Sequence, residues 1–310
     1  LGRIDITILG SGSAVPSLHR WHPSILVKDW MGNTVLLDAG EGVQIRLRKV
    51  GVSPSSIDVL AITHPHGDHI NGVAGLLMTM SLQSRRKPLT IISTSESLEF
   101  ISETLEATRE NLGFEVMLVD ARESGVLDVG RPSGDRLTIE WERACHNIES
   151  LAFKLVWTLR PRIDARILER LDLKAGPWIR ELIEKGRAHV EGRIVTLKDI
   201  SASGERKYSV AYTGDTSPCT RVAKFLHGSD ILIHDSTLDS SLAREAAERG
   251  HSTSLDAARN ALTSGAKLLI LFHVSSRYSG YEARLLLKEA RRVFPNTVLS
   301  WDGMKLSITI

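Results

Sequence analysis

Cysteine is nearly missing from this chain: Cys145 and Cys219 are the only two among 310 residues. Two cysteines do not make a disulfide framework, and a reducing cytoplasm is the expected compartment. A surplus of charge is missing as well. The 39 Lys and Arg against 37 Asp and Glu leave +2 with neutral His, too balanced for bulk charge to declare a nucleic-acid binder. A local basic patch on a neutral body is compatible with that balance. No apolar run approaches the ~20 residues that a membrane span needs, so no membrane partner is expected. The opening Leu1-Gly2-Arg3-Ile4-Asp5-Ile6 reads as a strand and not as a signal peptide. Internal repeats, low-complexity tracts and a dividing linker are also lacking. What is present is ordinary: 42% hydrophobic and 25% charged residues offset chain entropy well enough to exclude disorder as the main state.

Short β-like runs lie at residues 4–9, 24–27, 34–37, 59–63, 89–93, 114–119, 137–141, 151–158, 208–212, 231–234, 268–272, 297–301 and 305–310. Helical patterns fall between them, at 41–50, 70–82, 95–111, 220–226, 240–249, 254–264 and 281–293. Strands alternating with helices predict a layered α/β protein. Residues 160–193 differ. They carry nine Arg/Lys and six Asp/Glu, with Gly176-Pro177 in the middle and a short helical stretch at 178–185. By composition this is a solvated excursion from the body.

Eleven histidines are more telling, because several cluster. After the apolar run at 58–62 comes Thr63-His64-Pro65-His66-Gly67-Asp68-His69. Pro65 and Gly67 oppose a regular helix through this stretch, so a loop is expected to splay His64, His66, Asp68 and His69, with a helix starting at residue 70. Three imidazoles and a carboxylate suit Zn²⁺, and four such groups would be costly to desolvate without a cation. Further candidates sit just after apolar strands: His146, Asp215 in Thr213-Gly214-Asp215-Thr216, and His273. Open α/β sheets gather their sites at strand ends. By contrast, Gly10-Ser11-Gly12-Ser13 reads as a turn, since no GK[ST] follows. Cys145 reads as a small buried hydrophobe, and His234 as a satisfied strand residue.

The order of Leu37-Asp38-Ala39-Gly40, the His64–His69 loop, His146, Asp215 and His273 resembles the metallo-β-lactamase superfamily. Further stretches resemble one family within it, ribonuclease Z, the tRNA 3′-processing endonucleases. They are Gly40-Glu41-Gly42-Val43-Gln44, Ala211-Tyr212-Thr213-Gly214-Asp215-Thr216-Ser217-Pro218-Cys219, His251-Ser252-Thr253 and His273-Val274-Ser275-Ser276-Arg277-Tyr278. The resemblance covers nearly the whole chain. It implies an α/β fold, a four-layer αββα sandwich over residues 1–310, with 160–193 as an inserted, protruding tRNA-binding arm in which Gly176 and Pro177 contact substrate.

The same resemblance implies two Zn²⁺ per subunit, with Mn²⁺ or Fe²⁺ also able to occupy such sites. His64, His66, His146 and Asp215 would hold one ion; Asp68, His69, Asp215 and His273 would hold the other. Asp68 would either accept a proton from the bridging water or serve only as a ligand. His251 would protonate the leaving oxygen. Its acidic neighbour is Asp235, in His234-Asp235-Ser236-Thr237, where the family usually has a Glu one methylene longer. The family's PxKxRN loop reads Pro16-Ser17-Leu18-His19-Arg20-Trp21 here, keeping Arg20 only in part of that pattern. Arg20, Ser275 and Arg277 are the expected substrate contacts outside the arm, and Asp38 is expected to brace the metal loop. Precursor tRNA is the implied substrate, and a cytoplasmic homodimer the implied assembly. The alternative on the same fold is a phosphodiesterase for cyclic or small phosphodiesters. A zinc-stabilised RNA-binding scaffold is the rival from another class, and it has no use for His251.

Overall fold

The structure is a computed structural model in which residues 2–108, 112–129, 134–201 and 204–310 are described. The strands are β1 (Arg3–Gly10), β2 (Ser24–Asp29), β3 (Thr34–Leu37), β4 (Val59–Ala61), β5 (Leu89–Ser93), β6 (Val116–Asp120), β7 (Gly125–Asp128) and β8 (Arg136–Arg143). They continue as β9 (Leu151–Leu159), β10 (Arg187–Val190), β11 (Arg193–Thr196), β12 (Arg206–Tyr212), β13 (Ile231–Asp235), β14 (Leu268–Phe272), β15 (Thr297–Leu299) and β16 (Lys305–Thr309). The helices are α1 (Val43–Lys49), α2 (Gly67–Ile70), α3 (Gly72–Leu82), α4 (Ser95–Ala107), α5 (Ala165–Arg170), α6 (Trp178–Lys185), α7 (Thr220–Leu226), α8 (Ala243–Glu248), α9 (Ser254–Ser264) and α10 (Ala283–Arg291). The last residues of the helix expected at 95–111 lie outside the described residues.

Two seven-stranded sheets form, in the orders β16-β1-β2-β3-β4-β5-β6 and β15-β14-β13-β12-β9-β8-β7. Each has a parallel half, β3 to β6 in the first and β12 to β15 in the second. The inner parallel strands β4, β13 and β14 are buried along almost their whole length, which is why they read as mainly apolar runs. In the first sheet Leu36, Leu60 and Ile91 pack with Val73, Leu76, Leu77 and Met80 of α3 and Leu98 and Ile101 of α4. In the second, Leu232, Leu269 and Leu271 pack with Val222 of α7, Ala257, Ala258 and Ala261 of α9, and Leu286 of α10. The result is a four-layer αββα sandwich. Among the described residues no helix is long and apolar enough to cross a membrane.

Residues 127–139 and 155–208 cluster as a compact unit of their own, and the 160–193 stretch falls inside it. This segment is more than a solvated excursion. Leu168, Leu173, Leu182, Ala188, Val190, Val195 and Ile200 form a small core. Helix α5 and the β10–β11 hairpin, neither expected from the sequence, supply part of it. The hairpin turns tightly at Glu191-Gly192, both with positive φ, which matches the twist of the flanking strands.

The expectation for the cysteines needs correcting. Cys145 is not a lone buried hydrophobe: it forms a disulfide with Cys219, 74 residues away, with 6.4 Å between their Cα atoms. The Ser217 N–H donates to the Cys145 carbonyl, and the Cys145 N–H to Thr216 Oγ1. These bonds lay the two segments side by side before any covalent link. A cross-link over a loop of this length adds about 2–4 kcal/mol. Cys219→Ser is therefore expected to lower the unfolding free energy by that amount in a denaturant melt. An identical midpoint for both proteins under oxidising conditions would rule the bridge out.

Candidate metal centre

The site is assembled where strands stop. After β4, Ile62 N–H still donates to the Ile92 carbonyl, and then the chain leaves the sheet. His64 and His66 follow in extended backbone. The expected loop ends early: α2 begins at Gly67, and His66 serves as its N-cap residue. Asp68 and His69 therefore sit on a helical turn rather than in a loop. Pro65 lies before that turn, so it does not oppose it. His146 follows β8, Asp215 follows β12, Asp235 ends β13 and His273 follows β14.

These groups converge. His64, His66, His146 and Asp215 place one ligand atom each within 4.8 Å of one another, and so do Asp68, His69 and His273. Within the first set His64 Nε2 is 3.0 Å from His66 Nδ1, and His146 Nε2 is 3.3 Å from the same atom. In the second, His69 Nε2 is 3.3 Å from His273 Nε2, and Asp68 Oδ2 is 3.4 and 3.3 Å from those two nitrogens. Asp215 stands between the sets. Its Oδ2 is 3.6 Å from His64 Nε2 and 3.4 Å from His69 Nε2, while its Oδ1 is 3.3 Å from His273 Nε2.

The outer nitrogens fix which inner atoms carry lone pairs. Asp38 accepts from His69 Nδ1 at 2.7 Å, and the Gly250 carbonyl accepts from His146 Nδ1 at 2.7 Å. The Thr63 hydroxyl donates to Asp38 and so accepts from His64 Nδ1 at 2.9 Å. The Thr237 hydroxyl donates to Asp235 and so accepts from His273 Nδ1 at 2.9 Å. Every one of these imidazoles thus turns an unprotonated Nε2 inward, the arrangement that outer partners impose on metal-binding histidines. His69 Nε2 and His273 Nε2 face each other at 3.3 Å, where two lone pairs repel unless a cation lies between them. Nitrogen–metal bonds of ~2.0–2.1 Å in tetrahedral geometry put ligands roughly 3.3 Å apart, which is the spacing found. The buried Asp215 Oδ1 has no hydrogen-bond partner. The donor set fits a divalent metal.

Electrostatics agree. Burial, with neighbouring imidazoles, pushes His64, His66 and His146 below the ordinary histidine range, so they are neutral and able to ligate. Burial also disfavours a charged His69, but Asp215, Asp68 and Asp38 outweigh it and push that imidazole up. The carboxylates call for positive charge there.

His251 lies beside the cluster without belonging to the two sets above. Its Nδ1 donates to Asp235 Oδ2 at 2.9 Å and is 3.9 Å from Asp215 Oδ2. The shorter Asp235 side chain therefore reaches. Burial works against the imidazolium, yet Asp235 and Asp215 raise its pKa to about 9; a bound cation acts in the opposite direction. Asp235 also accepts from the Thr216, Thr237 and Ser252 backbone N–H groups, so it is held on all sides. His251 opens into a cavity of about 210 Å³ that it shares with His273, Ser275 and Arg277.

The other expected contacts are placed differently. Arg20 turns into the fold: its Nη1 donates to Ser11 Oγ and to the Ser300 carbonyl. Arg277 forms a two-pronged pair with Glu245 at 2.6 and 2.9 Å. Gly176 and Pro177 precede α6 in the second unit. There Arg166, Arg180 and Lys185 pair with Asp164, Glu184 and Glu181, which neutralises three of the nine positive side chains of residues 160–193. His234 is satisfied in the core, bonded to the Asp235 carbonyl and to Asn260. The outer partners Thr63, Thr237, Tyr212 and the Gly250 carbonyl went unread, because small hydroxyls and a carbonyl carry no signal until the sheets bring them together.

Three comparisons bear on this site. A family model described as "Anti-Pycsar protein Apyc1" matches residues 4–159. That segment ends before Asp215, Asp235, His251 and His273, so full-length relatives carry more weight. The chain is 34% identical to a curated Ribonuclease Z of Methanothermobacter thermautotrophicus, over 98% of this chain and 97% of that one. It is 35% identical to one of Ignicoccus hospitalis, over 99% of both. Among solved structures it is similar to human tRNase Z, short form, with a TM-score of 0.68, 26% identity, and coverage of 99% of this chain and all of that one.

Because Asp38 fixes the His69 ring, Asp38→Asn is expected to weaken Zn²⁺ binding about 10–100-fold. A Zn²⁺ titration against a competing chelator measures this; equal affinity in both proteins would show that Asp38 does not orient the ligand.

Proposed function

The chain belongs to the ribonuclease Z family, and from that premise we propose that it cuts precursor tRNA to remove its 3′ trailer, leaving a 3′-hydroxyl on the tRNA and a 5′-phosphate on the trailer. One observation carries the reading: two sets of inward-facing donors share Asp215, and a histidine–carboxylate pair, His251 and Asp235, lies beside them.

His64, His66, His146 and Asp215 would hold one ion; Asp68, His69, His273 and Asp215 would hold the other. Two Zn²⁺, when bound, supply a hydroxide near neutral pH and stabilise charge on the pentavalent phosphorus. The remaining work belongs to side chains. Asp215 keeps the two donor sets in register. Asp68, held well below the ordinary carboxylate range by His69 and His273 against the effect of burial, stays ionised as a ligand. Asp235 fixes the proton on His251 Nδ1, which leaves Nε2 as the atom that gives a proton to the departing 3′-oxygen. Ser275, in the cavity wall beside His273, contacts the ribose-phosphate chain. Residues 160–193 serve as the arm that grips the tRNA body by its backbone, and the enzyme works as a homodimer. Backbone shape is what a protein can read on an A-form helix.

The test is to incubate the zinc-loaded protein with an end-labelled precursor tRNA carrying a trailer and to map the products. A single metal-dependent cut at or just beyond the discriminator base is expected. His251→Ala should keep its metal content and lose about 10²–10⁴-fold in kcat. Cutting at the parent rate by that variant would remove the acid role. No cut at all, with fast hydrolysis of a cyclic nucleotide, would transfer the site to small phosphodiesters.

A further inference from the structure

The cavity that His251 opens into is also lined by Glu245, Arg249 and Arg277, of which the sequence pointed only to Arg277 as a substrate contact. Glu245 binds both arginines at once. It takes the Arg277 guanidinium on two oxygens at 2.6 and 2.9 Å, and Arg249 Nη2 at 3.0 Å. Two cations on one carboxylate leave a net single positive charge. These side chains are half-exposed or more on the arginine side, at 48% and 63%. The Arg277–Glu245 pair is two-pronged and Glu245 serves both arginines, so an anion that takes its place must offer two oxygens to a guanidinium, as a phosphodiester does.

The two guanidiniums are also well anchored to the chemistry. Arg249 is two residues before His251, in a segment pinned by Arg249 N–H to the Glu245 carbonyl and His251 N–H to the Ala246 carbonyl. Between them, the Gly250 carbonyl holds His146. Arg277 is four residues after His273, and its N–H leans on Ser275 Oγ at 3.4 Å. Each guanidinium therefore rides on a segment that also positions a site histidine. Planar guanidiniums that bind two oxygens together are suited to phosphodiester groups.

We infer that Arg249 and Arg277 form a subsite for the phosphate on the 5′ side of the last retained nucleotide, with Glu245 as the internal anion that this phosphate replaces. The inference rests on the proposed role of His251. The group that protonates the leaving 3′-oxygen faces the retained nucleotide, so a cavity shared with His251 receives that ribose and the phosphate preceding it. No bond is made or broken here. The phosphate exchanges places with a carboxylate, and Arg249 acts as a specificity-determining contact rather than a catalytic residue.

A substrate–protein double cycle tests it. Precursor tRNA is made with a neutral methylphosphonate at that one phosphate, and separately with one in the trailer. In the parent enzyme the first substitution should raise KM about tenfold, the worth of one charge-assisted contact. In Arg249→Ala, KM should already be raised by that factor, and the methylphosphonate should add less than about twofold, since the lost contact cannot be lost again. The trailer methylphosphonate should affect both proteins equally. Arg249→Lys keeps the charge without the fork and should fall between the two. Glu245→Gln, which removes the competing anion, should lower KM. Equal losses from the first methylphosphonate in parent and Arg249→Ala overturn the subsite while leaving the endonuclease reading intact. A parent protein that fails to cut unmodified precursor tRNA overturns that reading and the subsite with it.

Discussion

A single buried carboxylate sets the geometry on which the metal centre depends. Asp38, fully buried, accepts from Thr63 N–H at 2.7 Å, the Thr63 hydroxyl at 3.0 Å, His69 Nδ1 at 2.7 Å and the Tyr212 hydroxyl at 2.7 Å. Thr63 and His69 belong to the metal loop, and Tyr212 ends β12 in the other sheet. One side chain thus ties the end of β3, both ends of the loop and the facing sheet together. A buried charge is tolerated only when donors surround it, as the four do here. The backbone pays as well: Asp38 has φ 56°, a left-handed conformation that costs an L-residue about 1–2 kcal/mol. Removing any donor would leave both the strain and the charge uncompensated.

The same economy runs through the rest of the centre. His273 also sits at positive φ, 60°, just where β14 stops. Its ring is steadied through Thr237 by Asp235, the same carboxylate that holds His251. His273 and His251 therefore share one outer support on the second sheet, as His64, through Thr63, and His69, directly, share Asp38 on the first. Neither sheet carries a complete donor set. The cluster exists only when both are formed, so metal binding and folding are coupled. Strand ends suit this task because the parallel strands hold them rigid, while the emerging chain is free to take unusual backbone angles.

Much of this was legible in the sequence because the physics behind it is local. Buried parallel strands such as β5 and β14 read as mainly apolar runs with the observed bounds. A loop with three imidazoles and a carboxylate cannot be buried cheaply without a cation, so its role was readable from four residues. What escaped was set by distance or by weak signals. The Cys145–Cys219 pairing depends on two segments meeting across 74 residues, which no spacing rule reveals. Helix α2 starts at Gly67 because His66 is extended and can cap it, a backbone detail hidden behind Pro65. Strands β10 and β11 have four residues each with charges interspersed, too short for a period to emerge. Arg20 is expected from the sequence to touch substrate; its Nη1 instead donates to Ser11 Oγ and the Ser300 carbonyl, partners that no local pattern announces.

Gly250 shows how tightly ligand and acid are bound to one another. It has φ 75°, and a Cβ there would come within 2.6 Å of His146 Nδ1. Only glycine lets its carbonyl accept the His146 proton while the next residue turns back to donate to Asp235. Immediately afterwards Thr253 caps α9 and exchanges bonds with Asp256, so the turn is fixed at its far end by a helix start of the reciprocal kind. His146, just after β8, and His251, in the turn between α8 and α9, thus depend on the same short stretch of backbone. A shift in the turn that moved His251 would also disturb the bond that holds His146. The two functions are therefore tuned together through the backbone of residues 250–253 rather than separately through their side chains.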